Sequence, residues 1–194
     1  EFLLQFGFMG SIYAKKVLGI QNPRVGLLNN GTEVHKGPAL QQAAYGLLQQ
    51  ADAQGLLQFV GNLESRDAML GAADVLVADG FAGNIMLKSV EGTAMFMTSM
   101  LKEMFTANWK TKFAAGLCMR EIKNFKKMLD YRETGGTALV GLNKPVIKAH
   151  GASDARAIRS AVRQAIHAAD CAFEQALAEN IGKLAALKEQ GGTC

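Results

Sequence analysis

Residues 23–38 read PRVGLLNNGTEVHKGP, and they carry the signals of a strand, a loop and a helix in succession. The apolar run at 25–28 has the length and composition of a buried strand, and the polar, glycine-rich residues after it predict a loop. Pro38 is typical of a helix start, and residues 39–50 supply the helix. A buried strand followed by a polar loop and a helix is the repeating unit of a parallel α/β sheet.

The same unit recurs on both sides of this stretch. An amphipathic helix precedes it and runs to about Leu18, while 57–60 and 75–78 predict further strands, separated by a short helix at 64–70. Short apolar strands that alternate with helices predict an α/β fold with a layered, mainly parallel sheet and helices on both faces.

The last third of the chain adds a pair of short strands at 137–140 and 145–148. One long helix is expected to follow, with Ser153 as its N-cap and Asp154 in its first turn. Its apolar positions keep helical spacing and are expected to pack on the sheet: Ile158, Val162, Ile166, Phe173, Leu177 and Ile181.

The composition, 49% hydrophobic and 20% charged over 194 residues, is typical of a globular domain and excludes a disordered or collagen-like chain. The three cysteines form no CxxC pair and only three histidines are present, so no zinc site, other metal site or disulfide framework is expected. An odd number of scattered thiols favours the reducing cytoplasm. No apolar run reaches the roughly 18 residues that a membrane span needs.

Residues 92–129 interrupt the alternation, because two helical stretches follow one another with no strand between them. This segment predicts a helical hairpin that projects from the domain. It holds six of the nine methionines and the single tryptophan. Residues 102–132 carry eight basic and three acidic side chains, against a net charge of +4 for the whole chain. The basic excess is therefore concentrated on this segment.

Ligands of parallel α/β sheets bind beyond the carboxyl ends of the strands. The loops after Leu28 and Ala78 lie there, and both are polar and glycine-rich. The first contains Lys36, whose ammonium group can hold an anion. The second leads to a helix start, where Asn84 can donate a hydrogen bond and free backbone N–H groups attract negative charge, with Lys88 one turn later. These loops predict one cationic pocket for an inorganic anion.

Six segments, in order along nearly the whole chain, resemble the PlsX family of bacterial phosphate acyltransferases. They are residues 7–13 (GFMGSIY), 23–29 (PRVGLLN), 31–33 (GTE) with Lys36 and Gly37, 59–64 (FVGNLE), 79–84 (DGFAGN) with Lys88, and 145–151 (PVIKAHG). The resemblance identifies residues 1–194 as the C-terminal α/β portion of such a protein.

The resemblance implies transfer of an acyl group from acyl carrier protein to inorganic phosphate, giving an acyl phosphate for phospholipid synthesis. It also implies a homodimer, a fold like that of isocitrate and isopropylmalate dehydrogenases, and no cofactor. The product would pass to a membrane acyltransferase. The C-terminal portion alone is expected to be inactive, because the catalytic cleft also needs the N-terminal portion.

Lys36 and Asn84 are the expected catalytic residues, and the resemblance places an important lysine at Lys36. The expected substrate contacts are Asn29, Gly31, Thr32, Glu33, Gly80, Gly83, Lys88 and His150. Simpler roles stay open: Lys36 and Lys88 as solvated surface lysines, Asn84 as a helix cap, the side chains of the first loop as turn formers, and His150 as a structural histidine.

The tip of the predicted hairpin combines aromatic side chains with lysines, a pattern that favours an anionic membrane surface. The expected membrane contacts are Phe105, Trp109 and Phe113. We therefore expect a cytoplasmic protein that associates peripherally with the inner face of the membrane. The alternative is that the methionine-rich stripe packs against a dimer mate.

Two other functions stay open from the sequence. A phosphotransacetylase-like enzyme that uses acyl-coenzyme A shares the same chemistry, and a nonenzymatic docking module would use only the basic hairpin. A nucleic-acid partner is not expected, because the basic segment lacks a stacking platform or a recognition motif. A dehydrogenase is disfavoured, because no GxGxxG follows a strand.

Overall fold

A computed structural model describes residues 1–129 and 135–191 and gives a chain of alternating helices and strands. The elements are α1 (Phe2–Lys16), β1 (Arg24–Leu28), α2 (Ala39–Ala53), β2 (Gln58–Leu63), α3 (Ser65–Met69), β3 (Val75–Val77), α4 (Gly80–Thr106), α5 (Trp109–Leu117), α6 (Met119–Leu129), β4 (Gly136–Ala138), β5 (Ile147–Ala149), α7 (Ala155–Asp170) and α8 (Phe173–Gly191).

The chain divides into two compact units. The first contains the described parts of Glu1–Gly83, Ala138–Ile147 and Ala165–Cys194. The second contains the described parts of Asn84–Thr137 and Lys148–Gln164. The α/β character predicted from the sequence is confirmed, and it belongs to the first unit.

A three-stranded parallel sheet in the order β2-β1-β3 is the framework of the first unit. Val25 and Leu27 of the central strand are fully buried. Gly26 lies so close to Leu63 of β2 that a β-carbon at Gly26 would collide with the leucine side chain. The predicted parallel sheet is therefore confirmed, and β1, the strand predicted within residues 23–38, lies at its centre.

One apolar core joins this sheet to α1, α2 and α8. Its members include Leu4 of α1, Leu48 of α2 and Leu177 of α8. Tyr13 and Phe173 meet edge to face, with ring centroids 5.4 Å apart and planes at 83°. Each fully buried leucine contributes about 1.5–3 kcal/mol through the hydrophobic effect, so this core holds the sheet in place.

An ion pair closes the amino end of the sheet. Arg24 begins β1, and its Nε donates to Asp74 Oδ2 at 3.0 Å while its Nη2 donates to Asp74 Oδ1 at 3.1 Å. The backbone N–H of Arg24 donates to the same carboxylate at 2.8 Å. These bonds hold the pKa of Asp74 below its ordinary value and raise the pKa of Arg24. They fix the register between β1 and β3.

The predicted long C-terminal helix is wrong in one respect: it is two helices, α7 and α8. Ala172 interrupts it with a φ of +48°, a left-handed conformation that no helix accommodates. Phe173 and Leu177 are buried as expected. The other apolar positions of the predicted stripe are exposed: Ile158, Val162, Ile166 and Ile181.

Two smaller expectations about this region also need correction. Asp154, rather than Ser153, caps α7, because its carboxylate accepts the N–H of Ala157 at 2.9 Å. The short strands β4 and β5 pair with each other in a sheet of their own and do not extend the parallel sheet.

The second unit contains most of α4, followed directly by α5 and α6. The absence of a strand between 92 and 129 agrees with the sequence. The helix begins earlier, at Gly80, and the second helical stretch is divided at Cys118, which gives three successive helices where two were expected. Within the described residues, no helix combines the length and the apolar character needed to cross a bilayer.

Candidate functional site

The loop that follows β1 is folded by its own first residue. Asn29 Nδ2 donates to the carbonyl of Lys36 at 3.0 Å, and Asn29 Oδ1 accepts the N–H of Asn30 at 2.9 Å. Gly37 has a φ of +83°, and a β-carbon there would collide with the Asn29 carboxamide. Asn29 therefore shapes the turn that carries Lys36, as the simpler interpretation of the sequence allowed.

Neighbouring elements hold the same loop from outside. Asn62 of β2 donates through Nδ2 to the carbonyl of Glu33 at 2.8 Å, and its side chain is buried. Gln42 of α2 donates through Nε2 to the carbonyls of His35 and Gly37, both at 2.9 Å. The loop is thus bonded to the adjacent strand and to the next helix. Such bonding positions a side chain better than loop sequence alone.

Lys36 presents its amine at the open side of this loop. Its side chain is 41% exposed, and Nζ lies 4.0 Å from Glu33 Oε1. A β-carbon on Gly31 would lie 2.9 Å from Glu33 Oε2 and 3.0 Å from Lys36 Cγ, so a larger residue there would require both flexible side chains to shift. Thr32 is exposed in the same loop. The structure therefore brings Asn29, Gly31, Thr32, Glu33 and Lys36 together.

Asp79 occupies the start of α4, at the carboxyl end of β3. Its Oδ1 accepts the N–H groups of Phe81 and Ala82, both at 2.9 Å, and its carbonyl accepts the N–H of Gly83 at 2.9 Å. The expectation that these N–H groups are free for an anion is wrong, because Asp79 already binds them. Its carboxylate also places a negative charge where an anion was expected to bind.

The electrostatics of Asp79 follow from these bonds. The N–H of Ala82 is the largest influence that holds the pKa of Asp79 below its ordinary value, and Phe81 and Gln41 act in the same direction against partial burial. Gln41 Nε2 donates to Asp79 Oδ2 at 3.0 Å. The carboxylate is therefore a charged N-cap, fixed by α2 as well as by its own helix.

Two adjacent glutamines of α2 connect both carboxyl-end loops. Gln41 binds Asp79 before α4, and Gln42 binds the carbonyls of the Lys36 loop. Neither glutamine was predicted from the sequence, and Asn62 and Asp79 were noted only within segments 59–64 and 79–84 that carry the family resemblance. An aspartate directly before a predicted helix is a capping signal and identifies Asp79. Gln41 and Asn62 have no comparable local signal, because their partners are 38 and 29 residues away in the chain. The partners of Gln42 are near in sequence, but they are backbone carbonyls that no motif marks.

The remaining residues of the second loop lie on α4. Gly80 begins the helix, and a β-carbon on Gly83 would lie 3.1 Å from Ala78 Cβ, so Gly83 permits close packing. The placement of Asn84 at the helix start and its possible role as a cap are both wrong: Asn84 is exposed within the second turn. Lys88 Nζ donates to Glu91 Oε2 at 2.6 Å. Asn84 and Lys88 belong to the second unit.

His150 lies directly after β5, in the second unit. Its ring is exposed, and Nδ1 accepts the N–H of Ala152 at 3.1 Å. Since Nδ1 is the acceptor in this bond, a neutral ring carries its proton on Nε2. The bond gives His150 a role in the turn before α7.

The aromatic residues of the predicted tip differ in exposure. Trp109 and Phe113, one turn apart on α5, are 74% and 68% exposed, whereas Phe105 is half-buried. Lys110 Nζ lies 5.8 Å from the centroid of the Trp109 ring. Asn108 and Thr111 cap α5 reciprocally: Thr111 N–H donates to Asn108 Oδ1 at 3.0 Å, and Asn108 N–H donates to Thr111 Oγ1 at 3.1 Å.

Among the side chains that the structure describes, no group of three or more His, Cys, Asp or Glu residues is arranged to hold a metal ion. The loops after β1 and β3 carry the Lys36 amine, the His35 imidazole, the Thr32 hydroxyl, amide side chains and the carboxylates of Glu33 and Asp79.

Comparison with known proteins agrees with the sequence resemblance. The family model described as fatty acid synthesis protein matches residues 1–176. The phosphate acyltransferase of Geobacillus thermodenitrificans is 53% identical over 165 residues, 85% of this chain and 49% of that protein. The phosphate acyltransferase of Oceanobacillus iheyensis is 50% identical over 189 residues, 95% of this chain and 55% of that protein.

The phosphate acyltransferase of Brevibacillus brevis is similar to the same degree, with 52% identity over 160 residues. The chain spans about half the length of the curated relatives that it matches. The family match covers most of the chain, from residue 1 to residue 176. The chain belongs to the fatty acid synthesis protein family.

Proposed function

We propose that the intact protein transfers an acyl group from acyl carrier protein to inorganic phosphate and so makes an acyl phosphate for phospholipid synthesis. The relatives named phosphate acyltransferase, at 50–53% identity, are the observation that carries this proposal. The proposal is also supported by the loop that presents Lys36 at the carboxyl end of the central strand, because a positively charged ammonium group attracts a phosphate dianion.

The reaction needs orientation and charge more than it needs an activated side chain. An oxygen of hydrogen phosphate attacks the thioester carbonyl carbon, the carbon–sulfur bond breaks, and the phosphate proton leaves with the thiol. Phosphate is already a competent nucleophile. The protein therefore has to hold the dianion and stabilise the carbonyl oxygen as it gains negative charge.

In this proposal, the Lys36 ammonium group binds the phosphate anion, and the Asn84 amide donates a hydrogen bond to phosphate or to the carbonyl oxygen. Glu33 is a poor ligand for a dianion, since its carboxylate carries the same sign of charge. Its Oε1 lies 4.0 Å from the Lys36 amine, and because both side chains are exposed, this ion pair contributes little stability and can be replaced by phosphate. The loop glycines and Asn29 act by shaping this loop.

The test is turnover by the intact protein supplied with inorganic phosphate and an acyl thioester, with acyl phosphate trapped by hydroxylamine. We expect Lys36→Ala and Asn84→Ala, each alone, to lower turnover about 10²–10³-fold, the usual loss of a donor to developing charge. Lys144→Ala and Asn124→Ala are the matched controls, because both residues are exposed and lie outside the loops that follow β1 and β3. Turnover close to wild type in the first pair would refute the assignment.

The thiol donor is decided by the same assay. Acyl-(acyl carrier protein) is expected to be the better substrate, and acyl-coenzyme A the poorer one. A strong preference for acyl-coenzyme A would favour a phosphotransacetylase-like enzyme, and no acyl phosphate with either donor would favour a nonenzymatic docking module.

We further infer that this C-terminal portion needs the rest of the intact protein for activity. We also infer that the protein is a cytoplasmic homodimer with a fold like that of isocitrate and isopropylmalate dehydrogenases. In this proposal, α4 to α6 form a projecting hairpin. Exposed apolar side chains on α4, among them Met95, Phe96 and Met100, support a role for this helix in dimer contacts. Trp109 and Phe113 support docking of α5 on an anionic inner leaflet, where a membrane acyltransferase takes the product.

Membrane docking is tested by sedimentation with vesicles that contain anionic phospholipid. Replacement of both Trp109 and Phe113 by Asp is expected to abolish cosedimentation, because it removes the apolar wedge and adds charge that the bilayer repels. Leu142→Asp, at an exposed leucine outside α5, is expected to leave it unchanged. Equal binding of the double variant and the wild type contradicts the proposal.

A further inference from the structure

A cleft of about 720 Å³ opens in the first unit at the amino end of the parallel sheet. Pro23, directly before β1, and Gln58, the first residue of β2, both line it. The second half of α1 and the middle of α8 form its other walls. It shares no residue with the Lys36 loop, which lies at the carboxyl end of the same strands. Its volume falls within the roughly 300–1,000 Å³ typical of small-molecule sites.

The buried part of the cleft lining, which we call its floor, is apolar except for Ser11. It includes Phe8, Leu57 and Ala176, which are buried members of the core, and Ile12, which packs against that core. These side chains are already held by their neighbours. An apolar chain that entered the cleft would therefore meet a formed surface and would not have to rearrange the protein.

The rim of the cleft is cationic. Lys15 and Lys16 end α1, and Lys183 stands on α8. Among the residues that the structure describes, no acidic side chain lines the cleft, and neither Lys15 nor Lys16 forms an ion pair. Lys183 Nζ donates to the neutral side chain of Asn180, at 2.7 Å from Oδ1. Three positive charges thus surround the opening without a carboxylate partner in the described structure.

We propose that this cleft binds an anionic amphiphile, a phosphate or carboxylate head group on an apolar chain. The three ammonium groups would attract the negative head group, and the floor would contact the apolar chain. A ligand that carries both features fits the cleft better than one that carries only one of them. The concave shape favours a small molecule over the convex surface of a protein. The site is independent of the proposed acyl transfer, so failure of one leaves the other standing.

The proposal is tested by calorimetric titration of the chain with octyl phosphate and octanoate below their micellar concentrations. We expect both to compete for one site, and the tighter of the two identifies the head group. Inorganic phosphate lacks the chain and octyl glucoside lacks the charge, so each is expected to bind at least about tenfold more weakly. Equal binding of octyl glucoside, or of inorganic phosphate, overturns the proposal, as does no binding of either anion.

Variants locate the site. Replacement of Lys15, Lys16 and Lys183 together by Ala is expected to weaken octyl phosphate binding about tenfold and to reduce its dependence on salt. Gln58→Glu adds a negative charge at an exposed lining residue without touching the core, and it is expected to weaken binding too. Lys144 and Lys148 replaced together by Ala serve as the control, and far-UV circular dichroism checks folding. Unchanged affinity in both cleft variants places the ligand elsewhere and rejects the assignment.

Discussion

Asp79 shows how a single carboxylate defines the site. It binds N–H groups at the start of α4 and is itself bound by Gln41 of α2, so one side chain joins the end of β3 to two helices. A helix N-terminus without such a residue would attract phosphate through its dipole. With Asp79 in place, the formal positive charge that the loops after β1 and β3 offer to an anion is the amine of Lys36.

The lowered pKa of Asp79 makes a prediction about acid stability. A carboxyl group whose pKa is lower in the folded state contributes stability that is fully present above its unfolded pKa and is lost as pH falls through the folded pKa. Asp79→Asn keeps a capping oxygen but removes the charge. We expect it to lower the free energy of unfolding at pH 7 by about 0.3–1 kcal/mol, and we expect this difference from wild type to be smaller at pH 3, because the contribution declines once pH falls below the ordinary pKa of an aspartate.

The measurement is urea unfolding of both proteins at the two pH values, followed by far-UV circular dichroism. Asp170→Asn is the matched control, because Asp170 ends α7, where a negative charge opposes the helix dipole. The control is expected to be no less stable than wild type at pH 7. A loss of stability in Asp79→Asn that is the same at both pH values contradicts the electrostatic explanation.

At the scale of elements, local signals predicted the strands and helices well where one signal dominates. Residues 75–78 are apolar between polar neighbours, and β3 is found there. The division between α7 and α8 was not predictable from the sequence, because none of His167, Cys171 and Ala172 is a residue type that breaks helices. Tertiary contacts decide it: His167 Nε2 lies 3.0 Å from the carbonyl oxygen of Val17, and Phe173 packs on Tyr13.

The candidate site divides in the same way. The sequence identified the loops at the carboxyl ends of β1 and β3, because glycine and polar residues after an apolar run are a local signal. It could not identify Gln41 and Asn62, whose hydrogen bonds reach residues that are distant along the chain. It also misjudged Asn84, because the helix starts at the cap residue Asp79 and not where the glycine-rich stretch ends.

The start of α5 makes a prediction at the scale of one element. Asn108 accepts the N–H of Thr111, and its loss in Asn108→Ala is expected to cost about 0.5–2 kcal/mol of helix stability. Hydrogen exchange of the first amides of α5 is expected to accelerate accordingly. Asn124→Ala, an exposed position inside α6, is the control with the opposite sign, since alanine favours a helix interior. Unchanged exchange at Thr111 in Asn108→Ala contradicts the cap.

At the scale of the whole molecule, the first unit is held by one core, although its chain segments come from both ends of the sequence. Leu4 of α1, Leu48 of α2 and Leu184 of α8 belong to the same cluster as the central strand. The loops at the carboxyl edge and the cleft at the amino edge are attached to opposite ends of strands that this core fixes. Neither site can keep its geometry if the core is loosened.

Leu48 tests this dependence, because it is fully buried and faces the sheet from α2. Leu48→Ala is expected to lower the free energy of unfolding by about 2–5 kcal/mol, the usual cost of lost burial plus a cavity. Leu40→Ala, on the same helix at a position that is 52% exposed, is the matched control and is expected to change the free energy of unfolding by less than about 0.5 kcal/mol.

Native-state hydrogen exchange then separates a shared core from a local one. In Leu48→Ala, protection of amides in α1, β1 and α8 is expected to fall together, because they unfold as one cooperative unit. Protection that falls in α2 alone, while α1 and α8 keep that of wild type, would show that α2 is attached to the fold rather than part of its core.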